Sequence, residues 1–86
     1  MLKGTTTSGF VFEVDEGVND DMELLENLIR LDKQDITVLP DVMDSLLGDK
    51  KADLYEHCRR ENGRVSATAV MAEIKEIFEN AGKLKN

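Results

Sequence analysis

The only histidine of the chain, His57, stands beside its only cysteine, Cys58. A Cys–His pair is a nucleophilic device when the two side chains meet, because the imidazole takes the thiol proton and leaves a thiolate. On a helix, however, sequence neighbours diverge by about 100°. Cys58 falls on the expected buried stripe and His57 off it, so the two point apart. A packing cysteine and a surface histidine have this pattern, and no catalytic residue is assigned.

Metal and cofactor chemistry lacks its ligands. One His and one Cys cannot supply four soft ligands for zinc. The stretch Asn62-Gly63-Arg64-Val65-Ser66 imitates the middle of a calcium loop. With Gly63 at the sixth position, however, Cys58 and Arg60 stand where carboxylates are needed, and Ala69 replaces the bidentate Glu. There is no Gly-rich phosphate loop, nucleophile elbow or metalloprotease pair. The sequence therefore reads as a non-enzymatic interaction module with no cofactor and no metal.

Arg59, Arg60 and Arg64 form a small basic cluster before the last helix, in the position of a helix-turn-helix. The first turn of that helix offers only Ser66, Ala67, Thr68 and Ala69, which is poor equipment for reading bases. Charge argues the same way. The net charge of -7 is uneven: residues 1–49 hold 12 acids and 3 bases, a balance of -9, and residues 50–86 hold 6 acids and 8 bases, a balance of +2. An acidic half repels phosphate, so nucleic acid is not expected as a partner. The same polarity could orient two copies in a homo-oligomer. An alternative reading is a small acidic regulator, a DNA mimic or inhibitor that occupies a basic groove through Asp15, Glu16, Asp20, Asp21, Glu23 and Glu26.

Eighty-six residues, 41 % hydrophobic and 34 % charged, suffice for one modest core and exclude both a disordered tail and a membrane protein. No apolar run matches a bilayer span, and Met1-Leu2-Lys3 leads into Thr rather than a signal-peptide core. One cysteine allows no internal disulfide, so a bacterial or viral cytoplasmic setting is expected.

The expected fold is α+β, mostly α: one domain over 1–86, with a β-hairpin over 1–15 packed on about four short helices over 19–82, and a frayed tail over 83–86. Strands 2–7 and 10–14 join at Ser8-Gly9 in a two-residue turn. Asn19 or Asp20 caps a first helix to about Lys33, with Glu23 completing a capping box. Pro40 starts a second helix that Gly48 stops. Asp49 caps a third, to about Glu61, with Leu54, Tyr55 and Cys58 inward. The fourth, Ser66 to Ala81, has the apolar stripe Ala67, Val70, Met71, Ile74, Ile77, Phe78 and Ala81, with Glu73 off it, an N-cap at Ser66 and a left-handed stop at Gly82. The first helix is apolar round about half its circumference, at Met22, Leu24, Leu25, Leu28, Ile29 and Leu31. That is more than one packing face needs: either two neighbours cover this helix or part of it is a binding surface, and cover by two neighbours is expected.

The segments Gly9-Phe10-Val11-Phe12-Glu13-Val14-Asp15, Asp20 to Glu26 (DDMELLE), Leu46-Leu47-Gly48, Gly63-Arg64-Val65, Glu73-Ile74 and Glu76-Ile77-Phe78 resemble, in that order, a known group. They are similar to the small tail assembly chaperones of long-tailed phages and prophages of Gram-positive bacteria, encoded between the tail tube protein and the tape measure. The resemblance implies a protein that coats the long apolar tape measure protein, keeps it soluble and hands it to the tail tube protein. It further implies residence in the cytoplasm of the bacterial host and absence from the mature virion. It carries no catalytic residues and no residue-level binding motif. The surplus apolar positions of the helices, Leu24, Leu28, Leu31 and Leu39, are the expected partner-binding residues.

Overall fold

Alternation in Phe10-Val11-Phe12-Glu13-Val14 forces one face of a strand inward. In the computed structural model, which describes residues 1–84, Phe10, Phe12 and Val14 are buried and Val11 is exposed. Strands β1 (Leu2–Thr5) and β2 (Val11–Val14) pair antiparallel, with Leu2 opposite Val14 and Thr5 opposite Val11. The same register puts Gly4 opposite Phe12, whose ring lies over it: a Cβ on Gly4 would come 2.6 Å from Phe12 Cζ.

The turn is longer than the expected two residues. Thr6 N donates to Phe10 O and Gly9 N to Thr6 O. Thr7, Ser8 and Gly9 thus form a three-residue connection closed by Gly9 at φ 94°, a geometry that suits the right-handed twist of the strands.

A 3-10 turn, Glu16–Asp20, precedes helix α1 (Met22–Asp32). The cap of α1 is Asp21, one residue beyond the expected position. Its Oδ1 accepts from Leu24 N at 3.0 Å, so Glu23 is not at the third helical position and no capping box forms. The helix ends in a Schellman motif: Asp35 N donates to Arg30 O and Gln34 N to Leu31 O, with Gln34 at φ 73° where glycine is usual. After a second 3-10 turn, Ile36–Val38, comes α2 (Leu39–Leu47), stopped at Gly48 with φ 55°.

The helical count is three substantial helices rather than four, because α3 (Lys51–His57) spans only seven residues. It follows a 3-10 turn, Gly48–Lys50, without a side-chain cap from Asp49. It ends at His57 instead of Glu61 because the chain turns back: Arg59 bridges Val65, Arg60 N donates to Arg64 O, and Gly63 takes φ 84°. Tyr55, expected inward, is exposed.

Ser66 does cap α4 (Ala67–Leu84), accepting from Ala69 N at 3.1 Å. Gly82 does not stop it; the helix continues through Lys83 and Leu84, which were expected to fray, while residues 85 and 86 lie outside the described chain. One core joins all elements, with Phe12, Leu24, Met43, Leu54, Ile74 and Ile77 fully enclosed.

Candidate functional site

Three groups of residues can be built from the fold: a polar cluster under the hairpin turn, a basic loop, and an apolar groove. The polar cluster holds Glu73, which the helical stripe placed outward. The buried face of α4 is Val70, Glu73, Ile74, Ile77 and Ala81, rotated by roughly half a right angle from the expected stripe. Met71 and Phe78 are half-buried at its edge, and Ala67 is exposed.

Glu73 is 6 % exposed, and its Oε1 accepts from Thr6 Oγ1 at 2.8 Å and from Ser8 Oγ at 2.6 Å. Ser8 Oγ also lies 2.9 Å from His57 Nε2, which is 3.6 Å from Glu73 Oε1. One helical turn on, Glu76 accepts from Thr7 N at 2.6 Å and from Thr7 Oγ1 at 2.9 Å.

Ser, His and Glu in contact invite comparison with a nucleophilic relay, and the wiring decides the matter. A serine hydroxyl has one proton. Ser8 gives its proton to Glu73, so His57 Nε2 is assigned the donor role toward Ser8. In a relay the imidazole accepts the serine proton, while the acid holds its other nitrogen. Here acid and serine share one imidazole nitrogen. The arrangement is a clamp that fixes the turn to α4.

Cys58 is buried, and the pair with His57 points apart as the helical geometry required: the imidazole faces Ser8 while the thiol faces the core. Burial, with the negative charge of Glu73 second, pushes the Cys58 thiol above its ordinary range. Among the described residues, no group of three or more His, Cys, Asp or Glu could hold a metal ion.

Two of the three arginines of the basic loop are tied up locally. Arg59 forks onto Glu56, with Nη2 at 2.8 Å from Oε1, and Nη1 donates to Gly63 O at 2.7 Å. This pairing holds the Glu56 carboxyl below its usual range and the Arg59 guanidinium above its own. Arg60 donates to Ser66 Oγ. Several acids of the first half are also engaged in the backbone: Asp15 caps Gly17, Asp21 caps α1, and Asp35 accepts from Thr37.

The groove lies between the end of α1 and α4. It encloses about 530 Å³, lined by Leu28, Ile29, Leu31, Met71, Ile74 and Phe78 among others. At its edge, Lys75 Nζ stands 3.8 Å from Asp32 Oδ1. It exists because α1 is covered on one side only, which corrects the expectation of two covering neighbours. Of the four candidate partner-binding leucines, Leu24 is 1 % exposed and belongs to the core, where no partner reaches it. Leu28 and Leu31 are half-buried and line the groove. Leu39, also half-buried, packs on the core away from it. Met71 and Phe78, read from sequence as core, are among the residues that α4 contributes, with Ile74 beside them.

Nothing among protein-family models, curated proteins or solved structures matches this chain. Among the described residues, no helix is long and apolar enough to cross a membrane.

Proposed function

We propose that this protein is a non-enzymatic helix-binding chaperone of the kind that serves phage or prophage tail assembly, holding a tape measure protein until the tail tube protein receives it. The observation that carries the reading is the open groove lined by Leu28, Leu31, Met71 and Phe78. Flexible Met and Leu side chains take apolar helices with little demand on their sequence, which suits a long, repetitive client. The acidic first half keeps such a complex soluble. The sequence resemblance supplies the choice of client, and with it the bacterial cytoplasm as the place of action. The acidic-mimic alternative has the charge, but Asp15 and Asp21 are engaged as caps.

The test is binding to a labelled amphipathic helical peptide of about 20 residues, with a Leu/Ala stripe, read by fluorescence anisotropy. The groove reading expects binding that changes little between low and high salt, and its loss in Met71→Asp while the circular dichroism spectrum is retained. Binding that vanishes in high salt supports the mimic instead. For the client itself, co-expression with a long helical reading frame adjacent to this gene should raise that product's soluble yield, and an unchanged yield counts against tail assembly.

A further inference from the structure

Asn62-Gly63 is the only Asn-Gly step in the sequence, and both residues are exposed in the loop between α3 and α4. Gly63 has no side chain to screen its own nitrogen from the carboxamide beside it, and a Cβ placed there would meet nothing within 4 Å. The carboxamide itself is held from the other side. Arg64 N donates to Asn62 Oδ1 at 2.9 Å. Arg59 Nη1 donates at 2.7 Å to Gly63 O, the carbonyl of the same peptide unit, so the guanidinium polarises the N–H that grips Oδ1. One contact opposes reaction: Gly63 N donates to Arg60 O at 2.9 Å. It is a single turn bond in an exposed loop, of the kind that opens at little cost. The other internal asparagines lack this setting. Asn27 and Asn80 lie inside α1 and α4, and Asn19 Nδ2 is engaged on Ala81 O.

We infer that Asn62 is a self-modifying site, which the folded loop converts through a cyclic imide with Gly63 to aspartate and isoaspartate without an enzyme. Hydroxide removes the proton of Gly63 N, and the nitrogen attacks Asn62 Cγ. The new N–C bond closes a succinimide ring, the Cγ–Nδ2 bond breaks, and ammonia leaves with a proton from water. A second water then opens the ring at either carbonyl; in sum, one water is consumed and one ammonia released. Negative charge that develops on Oδ1 during the attack meets the Arg64 N–H already aimed at it. The guanidinium groups of Arg59, Arg60 and Arg64 favour the anionic nitrogen as well. The isoaspartyl product carries an extra main-chain carbon inside a turn that Arg60 N closes on Arg64 O. That turn seats Ser66, which accepts from Arg60 Nη2 and caps α4. The conversion thus reaches the start of a helix that walls the groove, and it does not depend on what the groove binds.

The test is incubation of the folded chain at mildly alkaline pH, followed by peptide mapping with mass spectrometry. Conversion of amide to acid should be confined to Asn62, give both products, and speed up in proportion to hydroxide. Asn62→Gln should stop it. Arg59→Ala should slow it severalfold in the folded chain but leave the rate in urea unchanged, which separates the loop geometry from the dipeptide alone. The isoaspartyl form, isolated by chromatography, should unfold at lower urea than Asn62→Asp, which carries the same charge. A folded chain whose Asn62 stays intact while the chain in urea converts overturns the inference. So does a folded-state rate indifferent to Arg59→Ala, or conversion at Asn27 or Asn80 as fast as at Asn62. A midpoint equal to that of Asn62→Asp overturns the effect on α4.

Discussion

Ser8 Oγ donates to Glu73 Oε1 at 2.6 Å, joining positions 65 residues apart. Removing Glu73 tests how much of the fold depends on that clamp. Glu73→Ala strips the acceptor from two hydroxyls, one of them on buried Thr6. An unsatisfied buried polar group costs about 1–3 kcal/mol, so urea unfolding should show a loss of about 3 kcal/mol. Glu73→Gln keeps one carbonyl acceptor and should lose about 1 kcal/mol. Equal losses in the two variants would mean that the cluster contributes through packing and not through hydrogen bonds.

The face of Phe12 that covers Gly4 leaves no room for a methyl group. The new Cβ of Gly4→Ala would sit 2.6 Å from Phe12 Cζ and 2.9 Å from Cε2. Because Phe12 is enclosed by the core, the ring cannot swing away freely. Overpacking of this kind costs about 1–3 kcal/mol, against the slight gain in strand propensity that alanine brings. A lower thermal midpoint is expected; an unchanged one would show that the hairpin can slide on α4.

Gln34 holds the left-handed position of the α1 Schellman motif, φ 73°. A side chain there meets its own carbonyl, at a cost of about 1 kcal/mol. Gln34→Gly removes that strain but adds flexibility to the unfolded chain. The net expectation is a gain of about 0.5 kcal/mol in chemical denaturation, whereas Gln34→Ala should gain nothing.

The elements that the sequence makes legible are those set by local rules. Alternation at Phe10, Phe12 and Val14 gives the inward face of β2. Pro40 and Gly48 bracket α2, and Ser66 caps α4. What escapes is set by contacts between distant segments. Glu73 looks like a surface acid until the hydroxyls of Thr6 and Ser8 arrive from the hairpin, and those residues read locally only as a strand former and a turn residue. Their arrival turns α4, so that Met71 and Phe78 leave the centre of the core for the groove wall. The end of α3 is hidden for a different reason: the Arg59–Val65 bridge that breaks it closes over only six residues, in a run whose residue types read equally well as helix up to Asn62-Gly63. Of the groove, the surplus of apolar residues on α1 is visible in sequence, and Leu28 and Leu31 follow from it. Which leucine faces the core is not visible, because a stripe half a helix wide has no unique inward direction.

The thiol of Cys58 provides a readout of opening. Burial first, and the Glu73 carboxylate second, raise its pKa above the ordinary thiol value of 9.0. Only the thiolate reacts with alkylating agents, so at pH 8 the native chain should react at least about 100-fold more slowly than the chain in urea. The sign of the accompanying stability change follows from linkage. The folded state holds its proton to higher pH than the unfolded state, so the folded state gains nothing at neutral pH and is penalised as pH rises past 9.0. Stability by urea titration should therefore be flat from pH 7 to 8 on account of this group and fall above about pH 9, and Cys58→Ala should flatten that alkaline fall. Glu73→Gln removes one of the two causes and should speed native alkylation even if global stability is matched by a stabilising change elsewhere. If alkylation of the native chain is as fast as in urea, Cys58 is not enclosed and the packing of α3 against the core is wrong.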